Sequence, residues 1–144
     1  MSTRSLAVEF LMIDDNHGIA EFLSWYLHER RHTCAALDNG SAVTAWLEQN
    51  RCEVAIVDLH MQPVDGITVI RRIREIDAHL PIVVFTGLGY DEEHMQAALR
   101  AGANGYVSKV LPAEQLYCVL ARVLATARRE ARSRHPRQRL LGAA

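Results

Sequence analysis

Hydrophobic positions along the chain follow two rhythms in alternation. Short runs in which nearly every residue is apolar occupy 8–13, 54–57 and 82–85, with weaker ones at 33–37 and 105–108. Between them, apolar side chains recur every three or four residues. Runs of four to six residues rich in Val and Ile predict strands buried on both faces, and helix-length stretches between such strands predict parallel crossovers.

The intervening segments carry helix signals. In 18–31, Ile19, Phe22, Leu23, Tyr26 and Leu27 fall at helical spacing. Asp38-Asn39-Gly40 marks a turn, and Ser41 is placed to cap a helix carrying Val43, Trp46 and Leu47. Asp65-Gly66 opens a helix with Ile67, Ile70, Ile73 and Ile76 on one face and arginines on the other. Asp91 caps a helix containing Met95, Ala98 and Leu99, which Gly102 stops in the manner of a C-cap glycine. Pro112 begins the last helix, whose apolar positions are Leu116, Val119, Leu120, Val123 and Leu124. Five strands and five helices in strict alternation, joined by right-handed crossovers, predict an α/β, doubly wound parallel sheet of flavodoxin-like order 2-1-3-4-5.

The chemistry sits at the strand ends. In a parallel sheet every strand points its C-terminal end the same way, and ligands bind at that edge. Here the first strand ends in Asp14-Asp15, the third in Asp58, the fourth in Thr86 and the fifth in Lys109. Paired carboxylates suit Mg²⁺, which takes oxygen ligands and keeps several waters. A third carboxylate, Asp58, would be repelled by the other two unless a cation neutralised them. With that cation, Asp58 could approach a phosphoryl group as nucleophile. Lys109 and Thr86 would offer a positive charge and a hydroxyl to the transferred oxygens. Lys109 is the only lysine among sixteen basic residues, which suggests a specific need for a compact ammonium.

Composition bounds this reading more than it extends it. At 144 residues, 49% hydrophobic and 23% charged, the chain fits one globular domain. No apolar run approaches the ~20 residues of a membrane span, and no signal-peptide pattern opens the chain, so the expectation is a cytoplasmic protein without membrane contact. Cys34, Cys52 and Cys118 lack metal-type spacing and read as buried thiols in a reducing compartment. The net charge of −1 hides an asymmetry, because residues 128–144 carry six arginines and one glutamate. That segment reads as the end of the last helix followed by a basic, partly disordered tail or linker.

With Asp14-Asp15, Asp58 followed by Met61 and Asp65-Gly66, Thr86-Gly87, and Ala101-Gly102-Ala103 leading to Tyr106 and Lys109, residues 5–127 resemble the receiver domain of two-component response regulators. The resemblance implies a phosphoacceptor switch that catalyses only its own phosphorylation and dephosphorylation. Asp58 would take a phosphoryl group from a histidine kinase or phosphotransfer protein. Asp15 would bind Mg²⁺, with Mn²⁺ as a substitute. Asp14 would bind through water, Asp58 would contribute its carboxylate, and the backbone carbonyl of His60 would complete the set. Thr86 and Tyr106 would form the switch pair, and Gly87 would keep the phosphoryl site open. The output expected is a homodimer through the fourth helix, fifth strand and fifth helix, with Arg100 and Arg122 taking part. Nucleic acid would be a partner only through an attached effector domain.

The chain departs from the family pattern in two places. Val110 stands where a proline commonly follows the lysine, so a trans bond with a rearranged loop or a strained bond is expected there. Gln62-Pro63 displaces by one residue the proline usual in the loop after the acceptor. Two rival readings remain. One is a pseudo-receiver that binds partners without phosphorylation. The other, far weaker, is a zinc peptidase through His28-Glu29-Arg30-Arg31-His32, a formal HExxH match with two arginines between its histidines.

Overall fold

The computed structural model describes residues 5–87 and 91–134. Its elements run β1 (Ala7–Ile13), α1 (His17–Glu29), β2 (Cys34–Leu37), a 3₁₀ turn (Gly40–Ala42), α2 (Val43–Gln49), β3 (Arg51–Val57), α3 (Gly66–Ile76), β4 (Ile82–Thr86), α4 (Glu92–Ala101), β5 (Gly105–Ser108) and α5 (Ala113–Arg134). The sheet is parallel throughout, in the order β2-β1-β3-β4-β5. This is the topology expected from the alternation of strands and helices.

Side chains alternate across a strand, so each buried strand feeds two cores. Phe10 and Met12 of β1, Val54 and Ile56 of β3, Val83 of β4 and Val107 of β5 pack with Leu23, Leu27, Leu116, Leu120 and Leu124 of α1 and α5. Their neighbours Leu11, Ile13, Ala55, Val57, Ile82 and Val84 pack with Val43, Val69, Ile70, Ile73 and Ala98 of α2, α3 and α4. Two helices on one face and three on the other leave the strand ends as the accessible edge.

Several local expectations are corrected. Phe22 of α1 is 52% exposed, because the buried stripe runs through Leu23, Tyr26 and Leu27. On α3, Val69 joins Ile70 and Ile73 in the core, whereas Ile76 ends the helix exposed. Ser41 does not cap α2. The Asn39 carboxamide instead accepts the Ser41 N–H at 2.9 Å and opens the 3₁₀ turn. Cys118 is exposed on α5, and Cys34 and Cys52 are only partly buried.

Asp65 and Asp91 cap α3 and α4 as expected, and Gly102 ends α4 at φ 121°. Arg74 secures that corner. Its guanidinium donates to the carbonyls of Gly102 (2.7 and 3.1 Å), Leu80 (2.6 Å) and Asp77 (3.1 Å) and to Asn104 Oδ1 (3.0 Å).

At the N-terminal edge of the sheet α5 continues unbroken through the arginine-rich stretch to Arg134. Arg128 donates to both oxygens of Glu53 (2.8 and 3.0 Å) and to Glu9 (2.9 Å). The remainder of the expected tail, 135–144, lies outside the described residues. No described helix is long and apolar enough to cross a membrane.

Candidate functional site

β1 and β3 are adjacent, and their register pairs Ile13 with Val57. The next residues, Asp14 and Asp58, therefore leave the sheet side by side. Carboxylate oxygens of Asp14, Asp15 and Asp58 lie within 4.8 Å of one another, with Asp14 3% and Asp58 5% exposed and Asp15 open to solvent. Asp14 is held by Asn16, whose backbone N–H donates to its Oδ1 at 2.9 Å while the Asn16 side chain caps α1. Sequence reasoning misses Asn16, although an Asn just before a helix carries a capping signal.

Asp58 is oriented by its own loop. The His60 N–H donates to Asp58 Oδ1 at 3.3 Å, and α3 begins against the same segment. A Cβ on Gly66 would stand 2.6 Å from Leu59 Cα and closer still to the Asp58 carbonyl. The Asp65-Gly66 turn signal thus marks the point where α3 is pressed against the segment that follows β3.

Lys109 reaches in from the end of β5. Its Nζ lies 2.8 Å from Asp14 Oδ2 and 3.4 Å from Asp58 Oδ2, with the side chain 13% exposed. Burial, then the Asp14 charge, raises the Asp58 carboxyl above the usual carboxylate range, against the opposing pull of Lys109 and the His60 N–H. One ammonium among three carboxylates leaves the cluster with excess negative charge. Oxygen ligands, high charge and an open member are what a hard divalent cation requires.

Thr86 ends β4 fully buried. The register pairs Val84 with Tyr106 and Thr86 with Ser108, so Thr86 and Tyr106 share the α3/α4 face of the sheet. Tyr106 packs at the margin of that core, and burial followed by the Asp91 charge raises its phenol pKa. The Lys109 N–H donates to the Thr86 carbonyl at 2.7 Å, fastening the two strand ends together. Among the described residues, a Cβ on Gly87 would meet Lys109 Cδ at 3.8 Å, an ordinary van der Waals contact.

Among the described residues the only cis peptide bond is Gln62–Pro63, so Lys109–Val110 is trans. Ser108 supports the rearranged loop, its Oγ accepting the Val110 N–H and its carbonyl the Leu111 N–H, both at 3.2 Å.

The HExxH reading fails on geometry. α1 stops at Glu29, and Arg31 adopts φ 64°, so His28 and His32 do not share a helix. Both His32 nitrogens are engaged, Nδ1 with Glu9 at 3.2 Å and Nε2 with the Tyr117 hydroxyl at 3.0 Å. Among the described residues the acidic trio is the one three-membered group able to hold a metal.

The family model for the response regulator receiver domain matches residues 10–121. The chain belongs to the response regulator receiver family. It is 31% identical over 119 residues to the virulence transcriptional regulatory protein PhoP of Salmonella typhimurium, a match covering 83% of this chain and 51% of that protein. It is 30% identical over 104 residues to the chemotaxis protein CheY of Halobacterium salinarum, covering 72% and 86% respectively. The chain thus spans about half the length of the PhoP relatives it matches. A CheY-like receiver from Methanospirillum hungatei superposes with a TM-score of 0.79 at 17% identity, over 89% of this chain and 99% of that one. A response regulator from Chloroflexus aurantiacus gives 0.76 at 26% identity, over 83% and 98%. Receivers are phosphoacceptor switches of two-component signalling rather than turnover enzymes. They bind Mg²⁺ at an acidic pocket and interact with histidine kinases and phosphotransfer proteins.

Proposed function

We propose that this receiver accepts a phosphoryl group on Asp58 in a Mg²⁺-dependent reaction and passes the event to an output surface through Thr86 and Tyr106. The observation that carries the proposal is the convergence of three carboxylates within 4.8 Å, two of them bridged by Lys109. Asp15 would be the exposed ligand for Mg²⁺ or Mn²⁺, Asp14 would assist through water, and Asp58 and the His60 carbonyl would complete the protein's share. An ion held there would supply positive charge against the carboxylates and the entering phosphoryl oxygens.

An Asp58 carboxylate oxygen attacks phosphorus. The new P–O bond forms as the bond to the donor breaks, and the donor, a phosphohistidine nitrogen or an acyl phosphate oxygen, leaves with the electron pair. Lys109 and Thr86 then share the charge on the transferred oxygens. A partner histidine kinase or phosphotransfer protein supplies the phosphoryl group, and reversal by water is catalysed by the receiver itself.

Movement of the Thr86 hydroxyl toward the phosphoryl group vacates space on the face it shares with Tyr106. A close-packed interior resists leaving that space empty, so the Tyr106 ring turns inward and reshapes the α4, β5 and α5 surface. A homodimer through this face, with Arg100 and Arg122 in the contact, is the output assigned to it.

The test is incubation with acetyl phosphate and Mg²⁺. One phosphoryl group labile to hydroxylamine should appear, and Asp58→Asn should abolish it. Sedimentation with beryllofluoride should then show dimer in the parent and monomer in Thr86→Ala. Modification that survives in Asp58→Asn refutes the acceptor assignment. No modification at all would favour a phosphorylation-independent binding module.

A further inference from the structure

Beside the carboxylate cluster lies a second group of metal-ligating side chains, of different chemistry. His60 follows Asp58 by two residues, and His94 lies in the first turn of α4. Their ring centroids are 5.8 Å apart and the planes are inclined at 53°. With metal–nitrogen distances of about 2.0–2.1 Å, two imidazoles that share a tetrahedral ion have ring centres roughly 5–6 Å apart.

His94 is already oriented. Its Nδ1 lies 2.7 Å from Asp91 Oδ2, while Asp91 Oδ1 accepts the Glu93 and His94 N–H groups as the cap of α4. A carboxylate holding one ring nitrogen fixes the tautomer and leaves Nε2 to a ligand, the usual support for a metal-binding histidine. His60 is exposed and the His94 side chain is 44% exposed, so an ion and its waters have access. We infer that His60 and His94, supported by Asp91, form a binding site for a divalent transition ion of the Zn²⁺ or Co²⁺ kind, separate from the carboxylate cluster.

Three features favour that occupant. Imidazole nitrogen prefers these ions, whereas Mg²⁺ prefers carboxylate oxygen, so the two sites sort their metals by ligand type. The surplus negative charge of Asp14, Asp15 and Asp58 nearby favours a cation over an anion. The pair also joins two separate elements, so a shared ion ties the first turn of α4 to the loop that follows Asp58.

The site stands independently of the phosphoacceptor reading, and the test keeps them apart. Zn²⁺ is titrated calorimetrically into the protein in excess Mg²⁺, and Co²⁺ is followed by its visible absorption. One equivalent should bind, with Co²⁺ bands of nitrogen coordination. His60→Gln and His94→Gln should each weaken binding at least tenfold, and Asp91→Asn, which retains the cap, by about 10–100-fold. Asp15→Asn, Asp58→Asn and His28→Gln should leave it unchanged. Thermal melts of each variant without added Zn²⁺ or Co²⁺ verify folding. The inference is overturned if Zn²⁺ does not bind in excess Mg²⁺, if binding survives both histidine variants, or if Asp15→Asn removes it.

Discussion

Replacing Asp58 by asparagine should make the metal-free receiver more stable. The Asp58 carboxylate lies within 4.8 Å of those of Asp14 and Asp15, and at an effective dielectric constant near 20 each such pair repels by about 3.5 kcal/mol. Lys109, 3.4 Å away, attracts Asp58 by about 5 kcal/mol on the same scale. Losing two repulsions and one attraction gives a net stabilisation on the order of 2 kcal/mol, and relief from burying a charge acts in the same direction. For a 144-residue chain this corresponds to a rise in Tm of roughly 5–8 °C. The asparagine carbonyl can still accept the His60 N–H, so the loop keeps its anchor. Urea and thermal unfolding of both proteins in EDTA and in Mg²⁺ provide the assay. Mg²⁺ at about 100 times its Kd would stabilise the parent by about 2.7 kcal/mol, so the advantage of the variant should shrink or reverse. A variant less stable than the parent in EDTA, or a parent melt indifferent to Mg²⁺, would refute the charge argument.

The same group predicts a pH dependence. Burial and the Asp14 charge raise the Asp58 pKa in the fold, so the native state binds that proton more tightly than the unfolded chain. Metal-free stability from this group should rise as pH falls through the raised value toward the ordinary 3.8, and the gap to Asp58→Asn should close over that window in urea titrations. Arg74→Ala should cost about 2–3 kcal/mol by the same method, because the carbonyls of Gly102 and Leu80 lose charged donors; Arg74→Lys, lacking the planar fork, should recover only part. Arg128→Ala should cost about 1 kcal/mol or less, with the loss shrinking in high salt, since the Arg128 side chain is 44% exposed.

What the sequence made legible depended on how local the cause was. The strands at 54–57 and 82–85 fall within β3 and β4, because burial on both faces writes itself into consecutive Val and Ile residues, and the weaker run at 105–108 coincides with β5. Asp14, Asp15, Asp58, Thr86 and Lys109 could be placed at one edge because parallel topology alone decides where strands end. Features set by contacts distant in sequence were hidden. Phe22 has helical spacing but falls outside the arc that β1 and α5 cover, and nothing near residue 74 announces that its guanidinium will meet Gly102. The Cys118 thiol faces outward for the same reason, since helical spacing fixes an angle around α5 but not which angle the sheet occupies. The His60–His94 pair joins two elements separated by α3 and β4, and only the folded register brings it together.

The two edges of the sheet solve opposite electrostatic problems. At the N-terminal edge Glu9 and Glu53 meet Arg128, and Glu9 also meets His32 and the Thr33 N–H. Burial pushes the Glu9 carboxyl up, but these donors together hold it below its ordinary value. At the C-terminal edge the charge is left unbalanced, and the Asp58 carboxyl is driven the other way. Local rules broken at one place and satisfied elsewhere are the mark of a site kept for binding rather than for stability. β4 and β5 carry Thr86 and Tyr106 on one face, beside the α3/α4 layer, so in the proposed switch relief of that imbalance would be directed into that layer. The Arg128 anchor lies at the far end of α5, so on that proposal a change at Asp58 would alter the helical surface around α4 while the opposite edge holds the sheet in place.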